Sequence, residues 1–199
     1  LSAHARVHLI DLPGYGEAPE PPRTPAIERM ADLVAAYVRH LGRGPVILLG
    51  HSMGTQVVTE VTVRHPGTVS HLVLVAPTVD RHHRHALTQL VRLGRDLFGE
   101  SAKVLLLGGR EYLRAGPHLR RKMHAMLVHR PEHAYPRLAV PTLVVRGELD
   151  VVVPQPWFDE VVAAIPDATP FVVEGHHHET LIRTAKPVTD ELRRWLAEH

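Results

Sequence analysis

The stretch LLGHSMGTQ, residues 48–56, constrains this chain more than any other. An apolar run over 45–49 ends at Gly50, Ser52 follows two residues later, and Gly54 two after that. A glycine-flanked serine between an apolar run and a helix-forming stretch is a tight turn built over a hydroxyl. In open α/β sheets, catalytic and ligand-binding groups gather at the carboxyl ends of the strands. In a strand-to-helix elbow the serine takes a strained backbone conformation that pushes its hydroxyl into the cleft. The flanking glycines let strand and helix approach more closely than a Cβ would allow. The new helix aims its first N–H groups at the same point, which makes the Met53 amide a candidate oxyanion donor. His51 is a candidate to line the cleft; its plainer role is to pack beside the strand ends.

The rest of the chain supplies a sheet for such an elbow. Residues 6–12 (RVHLIDL) read as a short buried strand closed by the turn PGYG, and the four prolines within 17–25 require a loop. Apolar residues at 27, 30, 33, 34, 37, 38 and 41 mark a helical face. A helix over 55–65 stops at Pro66-Gly67. Strands are expected at 71–76, 142–146 and 170–174, and helices at 156–165 and 187–197. This alternation predicts an α/β fold with a mostly parallel sheet. Residues 80–137 break it. Two amphipathic helices are expected there, over 86–98 and 118–129, with Leu87, Leu90, Val91 and Phe98 on one face and Leu119, Met123, Met126 and Leu127 on the other helix's face. The run VLLLGG at 104–109 fits either element type. The expected division is a core of 1–79 and 138–199 with a helical insertion over 80–137.

Composition removes several function classes. The 199 residues carry 23 basic and 21 acidic side chains, a net charge of +2, without the long basic runs of a nucleic-acid binder. No apolar stretch reaches the 18 residues of a membrane span. With no cysteine, disulfides, thiolate metal sites and a cysteine nucleophile are excluded. A cytoplasmic location is the default expectation, and nothing signals an oligomeric state. Histidine is abundant at 17 residues, with RHHRH at 81–85 and HHH at 176–178. Imidazole suits zinc and nickel. Adjacent histidines on one loop do not converge on an ion without a carboxylate and a second element, so no metal site is expected.

A serine hydroxyl is a poor nucleophile without a base, and the base needs a carboxylate to orient it. The elbow predicts the chain order Ser, Asp/Glu, His. Asp150, in RGELDVVVP just past the strand at 142–146, is the candidate acid, with Glu148 as second choice. His176, His177 and His178 follow the next strand.

The set VHLIDLPGYG, GHSMG, HLVLVAPTVD, PTLVVRGELDVVVP and VVEGHHHE resembles the α/β-hydrolase superfamily, in its serine-nucleophile branch with a helical cap. The resemblance covers almost the whole chain and implies an α/β-hydrolase fold. It implies a base just past the last strand, in a G-x-x-H setting that selects His178 or a G-H setting that selects His176. Pro187, the proline expected before the last helix, lies nearer His178 and favours it. The catalytic set is then Ser52, Asp150 and His178, acting by acyl transfer to water with no cofactor. A serine rather than an aspartate at the elbow argues against dehalogenase and epoxide-hydrolase chemistry. The implied function is cleavage of an ester, thioester or activated C–C bond of a small apolar substrate. Acyl transfer to another acceptor, perhydrolysis, and a hydrolase-like binding protein with vestigial turnover are the rivals. The family places strands before VHLIDLPGYG, one of them between that segment and PVILL, and a His-Gly loop carrying a second oxyanion donor. Neither is in this sequence. The expectation is an N-terminally truncated chain with a gap in its sheet or a direct pairing across it, and with weak stability and low activity.

Overall fold

The computed structural model describes residues 5–97 and 118–199. Four strands form one parallel sheet in the order β1 (Val46–His51), β2 (Val69–Val75), β3 (Thr142–Gly147) and β4 (Ala168–Val173). Helices α1 (Ile27–Leu41) and α2 (Met53–Arg64) flank β1 in the chain, α5 (Gln155–Ala164) links β3 to β4, and the short α6 (Thr180–Arg183) and α7 (Lys186–Glu198) follow β4. Between β2 and β3 lie α3 (Ala86–Leu97) and α4 (Leu119–Val128).

Helices cover both faces, and the strands sort their side chains accordingly. Along β2, Leu72 and Leu74 join Leu48, Val144 and the buried residues of α1, α2 and α5 in one core. Their neighbours Val73 and Val75 join Leu143, Val145, Val173 and the α7 residues Val188, Leu192 and Trp195 in the other. A strand buried on both faces has no polar side to offer, which is why VLV reads as a continuous apolar run. β1 stands at the sheet edge, where Ile47 and Leu49 are part-exposed.

The sequence reading fails at residues 6–12. This segment pairs with no strand among the described residues, and Leu9 is 94% exposed. A strand exists only through a ladder partner and a face to bury. Neither stands beside it, so apolar composition alone does not make it strand. Among the described residues no strand pairs with the outer edge of β1, so 6–12 and β1 do not pair directly. His8 is held instead by the α1 residue Tyr37, 2.8 Å from its hydroxyl. The turn after it forms as expected: Tyr15 N donates to Leu12 O and Gly14 N to Pro19 O, with Gly14 at φ 81°.

Both helices expected within 80–137 are present. Phe98 and the run 104–109 lie outside the described residues, as do the side chains of Leu87 and Leu90. Val91 is 53% exposed, and Leu119, Met123, Met126 and Leu127 are half-buried. The deepest side chain of α4 is a cation, Lys122. It pairs with Glu20 at 2.8 Å, donates to Gly14 O and lies 4.8 Å above the Tyr15 ring. Gln56 on α2 donates to Met126 O at 3.1 Å, and Arg84 donates to Leu127 O at 3.1 Å and to His129 O. α4 is therefore tied to the PGYG turn and to α2. The histidines find separate partners: His83 with Asp80, His82 with Glu160, His129 with Glu60 and His65 with Asp32. Among the described residues no group of three His, Asp or Glu side chains is placed to hold a metal, and no helix is long and apolar enough to cross a membrane.

Candidate active site

The elbow forms where the sequence places it. Ser52 has φ 52° and ψ −121°, in the region that non-glycine residues avoid at a cost of about 1–3 kcal/mol. Hydrogen bonds hold it there. Its N–H donates to Val75 O at 2.9 Å, prolonging the β1–β2 ladder, and its carbonyl accepts from Thr55 N at 2.9 Å and Thr55 Oγ1 at 2.6 Å. α2 starts at Met53, so no residue one turn earlier in the helix offers the Met53 N–H a carbonyl. Tyr15, from the PGYG turn, donates its hydroxyl to Met53 Sδ at 3.2 Å. Burial, with help from Glu20, pushes the Tyr15 phenol up to about 12, so it stays a donor.

The expected role of the two elbow glycines holds for only one of them. A Cβ on Gly50 would run into the Gly54 carbonyl and stand 2.7 Å from Thr55 N, whereas a Cβ on Gly54 would meet nothing within 4 Å. The close approach is of β1 onto the backbone of α2, and Gly54 supplies backbone rather than space.

Asp150 follows β3 in a turn closed by its own N–H to Gly147 O. Its Oδ1 accepts from Val152 N at 2.8 Å and Val153 N at 2.9 Å, and its Oδ2 lies 2.9 Å from His178 Nδ1. Burial would raise this carboxyl. The His178 charge, the His178 hydrogen bond and the two amides outweigh that and hold it below the usual carboxylate range. Glu148 points elsewhere and accepts from Gly175 N at 2.9 Å.

Of the three histidines, His178 is the one that reaches the serine: its Nε2 lies 3.0 Å from Ser52 Oγ. His176 turns back, donating Nδ1–H to Glu174 O at 2.8 Å. Since Asp150 is an acceptor, His178 carries its proton on Nδ1. Its Nε2 is then free to accept from the serine hydroxyl. Asp150 and His178 are each 2% exposed, and Ser52 is part-buried. The structure thus brings Ser52, His178 and Asp150 into one hydrogen-bonded line. His51 does not simply pack beside the strand ends. Its Nε2 lies 3.0 Å from His178 O, and the two rings are 5.4 Å apart. Sequence reasoning missed this bond, because it links residues 127 positions apart and no local signal announces it.

Residues 1–191 match the alpha/beta hydrolase family. The human (lyso)-N-acylphosphatidylethanolamine lipase is 36% identical over 81 residues, which is 39% of this chain and 24% of that protein. The pimeloyl-[acyl-carrier protein] methyl ester esterase of Vibrio cholerae is 41% identical over 76 residues, 38% of this chain and 28% of that protein. The matched segments thus span about a quarter of the length of these curated relatives. Among solved structures, a serine hydrolase involved in carbazole degradation superposes with a TM-score of 0.76 at 20% identity, covering 95% of this chain and 78% of that one. E-2-(acetamidomethylene)succinate hydrolase does so with a TM-score of 0.74 at 20% identity, covering 94% and 80%. At these identities the likeness establishes the fold.

Proposed function

Because the chain belongs to the alpha/beta hydrolase family, we propose that it cleaves an ester-type bond of a small apolar substrate through a Ser52–His178–Asp150 triad and an acyl-enzyme. The observation that carries this reading is the unbroken line from Ser52 Oγ to His178 Nε2, 3.0 Å, and from His178 Nδ1 to Asp150 Oδ2, 2.9 Å. His178 takes the Ser52 proton as the oxygen attacks the substrate carbonyl. Asp150 holds the imidazole in the required tautomer and stabilises the cation that forms. The Met53 N–H, at the start of α2, faces the developing oxyanion. His178 then gives its proton to the leaving alcohol or thiol. Water, activated by the same imidazole, releases the acid and restores Ser52.

An ester-type bond agrees with the activities for which relatives are named, a methyl ester esterase and a lipase among them. The half-buried apolar residues of α4 support an apolar acyl group, and the anchoring of α4 to α2 and the PGYG turn supports reading residues 80–137 as a cap over the cleft. The reaction as written needs no cofactor.

The test is intact-mass labelling with a fluorophosphonate probe. We expect one label per chain, lost in Ser52→Ala and His178→Ala and retained in His176→Ala. A folded chain that takes no label would overturn the hydrolase reading in favour of a hydrolase-like binding protein.

A further inference from the structure

We propose that His51 is a positioning residue that locks the backbone of the base loop to the nucleophile elbow through the hydrogen bond from its Nε2–H to the His178 carbonyl. This rests on the triad reading above and adds to it a group that touches no reacting atom.

The loop carrying three consecutive histidines is held by its carbonyls, each with its own donor. His176 O accepts from Leu149 N at 2.8 Å, in the turn that carries the acid. His177 O accepts from Thr180 Oγ1 at 2.8 Å, within the loop itself. His178 O accepts from His51 Nε2 at 3.0 Å. Gly147 lets the loop lie directly against β3: a Cβ there would collide with the His176 and His177 carbonyls, at 2.3 Å and 2.4 Å. Two of the anchors tie the loop to β3 and to itself. His51 alone among the three ties it to β1, the strand that delivers Ser52.

The position of that tie gives it leverage. His51 and Ser52 are consecutive, so residue 178 is gripped twice from one dipeptide: Ser52 Oγ on the ring and His51 Nε2 on the carbonyl. The orientation of the 178–179 peptide plane sets the backbone torsions of His178, and with them where its imidazole points. Fixing the carbonyl therefore fixes the ring without adding a group to the cleft. Because the acceptor is a carbonyl, the His51 nitrogen must carry hydrogen. The charged groups facing His51 are His178, Glu179 and Asp150. Burial, and then repulsion from His178 when that ring is protonated, hold its pKa below the ordinary value, so the neutral ring donates from Nε2 without placing a positive charge beside the base.

The test compares wild type with His51→Phe, which keeps the ring and removes the donor, and His51→Gln, whose amide nitrogen reaches about as far as Nε2. Hydrolysis of p-nitrophenyl butyrate gives kcat and KM. The downfield proton NMR signal of His178 Nδ1–H reports the base's geometry without turnover. In His51→Phe we expect kcat to fall about tenfold to a hundredfold, the range a misplaced catalytic group produces. KM should stay within about twofold, and the downfield signal should broaden or vanish. His51→Gln should recover most of kcat and the signal. Unchanged kcat and signal in His51→Phe would overturn the proposal. So would a rise in KM at constant kcat, which would make His51 a substrate-facing residue. Should His51→Phe not fold, His51→Gln against His51→Leu decides the same point. A wild-type chain that shows the downfield signal, yet takes no fluorophosphonate label, would sink the hydrolase reading, while the variants' NMR signals would still decide the tether.

Discussion

Gly50 packs against the backbone of Gly54 so closely that any side chain on it would displace α2. The two glycines of the elbow motif therefore respond differently to substitution. Gly50→Ala sets a methyl against backbone atoms that cannot rotate away, and overpacking of this kind costs roughly 1–3 kcal/mol. The shift also moves Ser52, so activity should fall with stability. Gly54→Ala meets open space in a helix, and alanine there is expected to be neutral or stabilising by up to about 1 kcal/mol. Urea denaturation of the two variants side by side checks this. Equal destabilisation would mean that the close approach is not what glycine serves at position 50.

Asp150→Asn separates orientation from charge. The Asn Oδ1 can keep the amides of Val152 and Val153. Its NH₂ then faces His178 Nδ1 and forces the imidazole into the other tautomer, with hydrogen on Nε2. That nitrogen can no longer accept the Ser52 proton. Turnover should drop by roughly 10⁴ while the fold survives. Steady-state hydrolysis of a p-nitrophenyl ester, with circular dichroism on the same sample, is the measurement.

Acid stability should carry the signature of the same residue. Asp150 is held below the ordinary carboxylate value of about 4 by His178 and two amides, against the opposing effect of burial. Below that value the unfolded chain takes up a proton that the folded chain refuses. The stabilisation from Asp150 is thus complete above the ordinary value and is lost as pH falls toward the lower folded value. Thermal melts from pH 7 down to pH 3 should show a shallower acid loss in Asp150→Asn than in wild type. Parallel slopes would count against this assignment.

Lys122 is the most buried cation of α4, with Glu20, the Gly14 carbonyl and the Tyr15 ring as partners. Lys122→Met leaves Glu20, which is partly solvated, without its closer ion partner, His118 remaining 3.5 Å away. We expect a loss of about 2 kcal/mol, below the cost of stranding a fully buried charge. Limited proteolysis should cut earlier within 80–137. A variant as stable and as protease-resistant as wild type would show that the pair does not anchor the helix.

Much of the fold is legible from local pattern. The elbow, helices α1 and α2 and the four apolar strands follow from period-3.6 faces, apolar runs and Gly/Pro stops, all properties of short windows. Ser52 and Asp150 are legible for the same reason, each sitting at a strand end that periodicity locates. Residues 6–12 mislead because a strand is a pairing, and an apolar run without a neighbour has nowhere to put its amides. Gly54 misleads because a motif names two glycines without saying which backbone approaches which.

The amino-acid sequence by itself determined that a serine would stand on a strained turn between strand and helix, with a carboxylate and three histidines downstream at strand ends. The residue pattern left three histidines open and the family resemblance favoured His178; only the tertiary structure set its ring beside the serine and revealed what His51 does. Three adjacent histidines are equivalent in composition. They differ only in where their carbonyls and rings find partners, at Leu149, at Thr180, and at residues 51 and 52. Thr180 lies in the loop itself, but Leu149 and residues 51 and 52 are brought within 3 Å by the parallel packing of β1, β2, β3 and β4, a long-range arrangement that no short window contains.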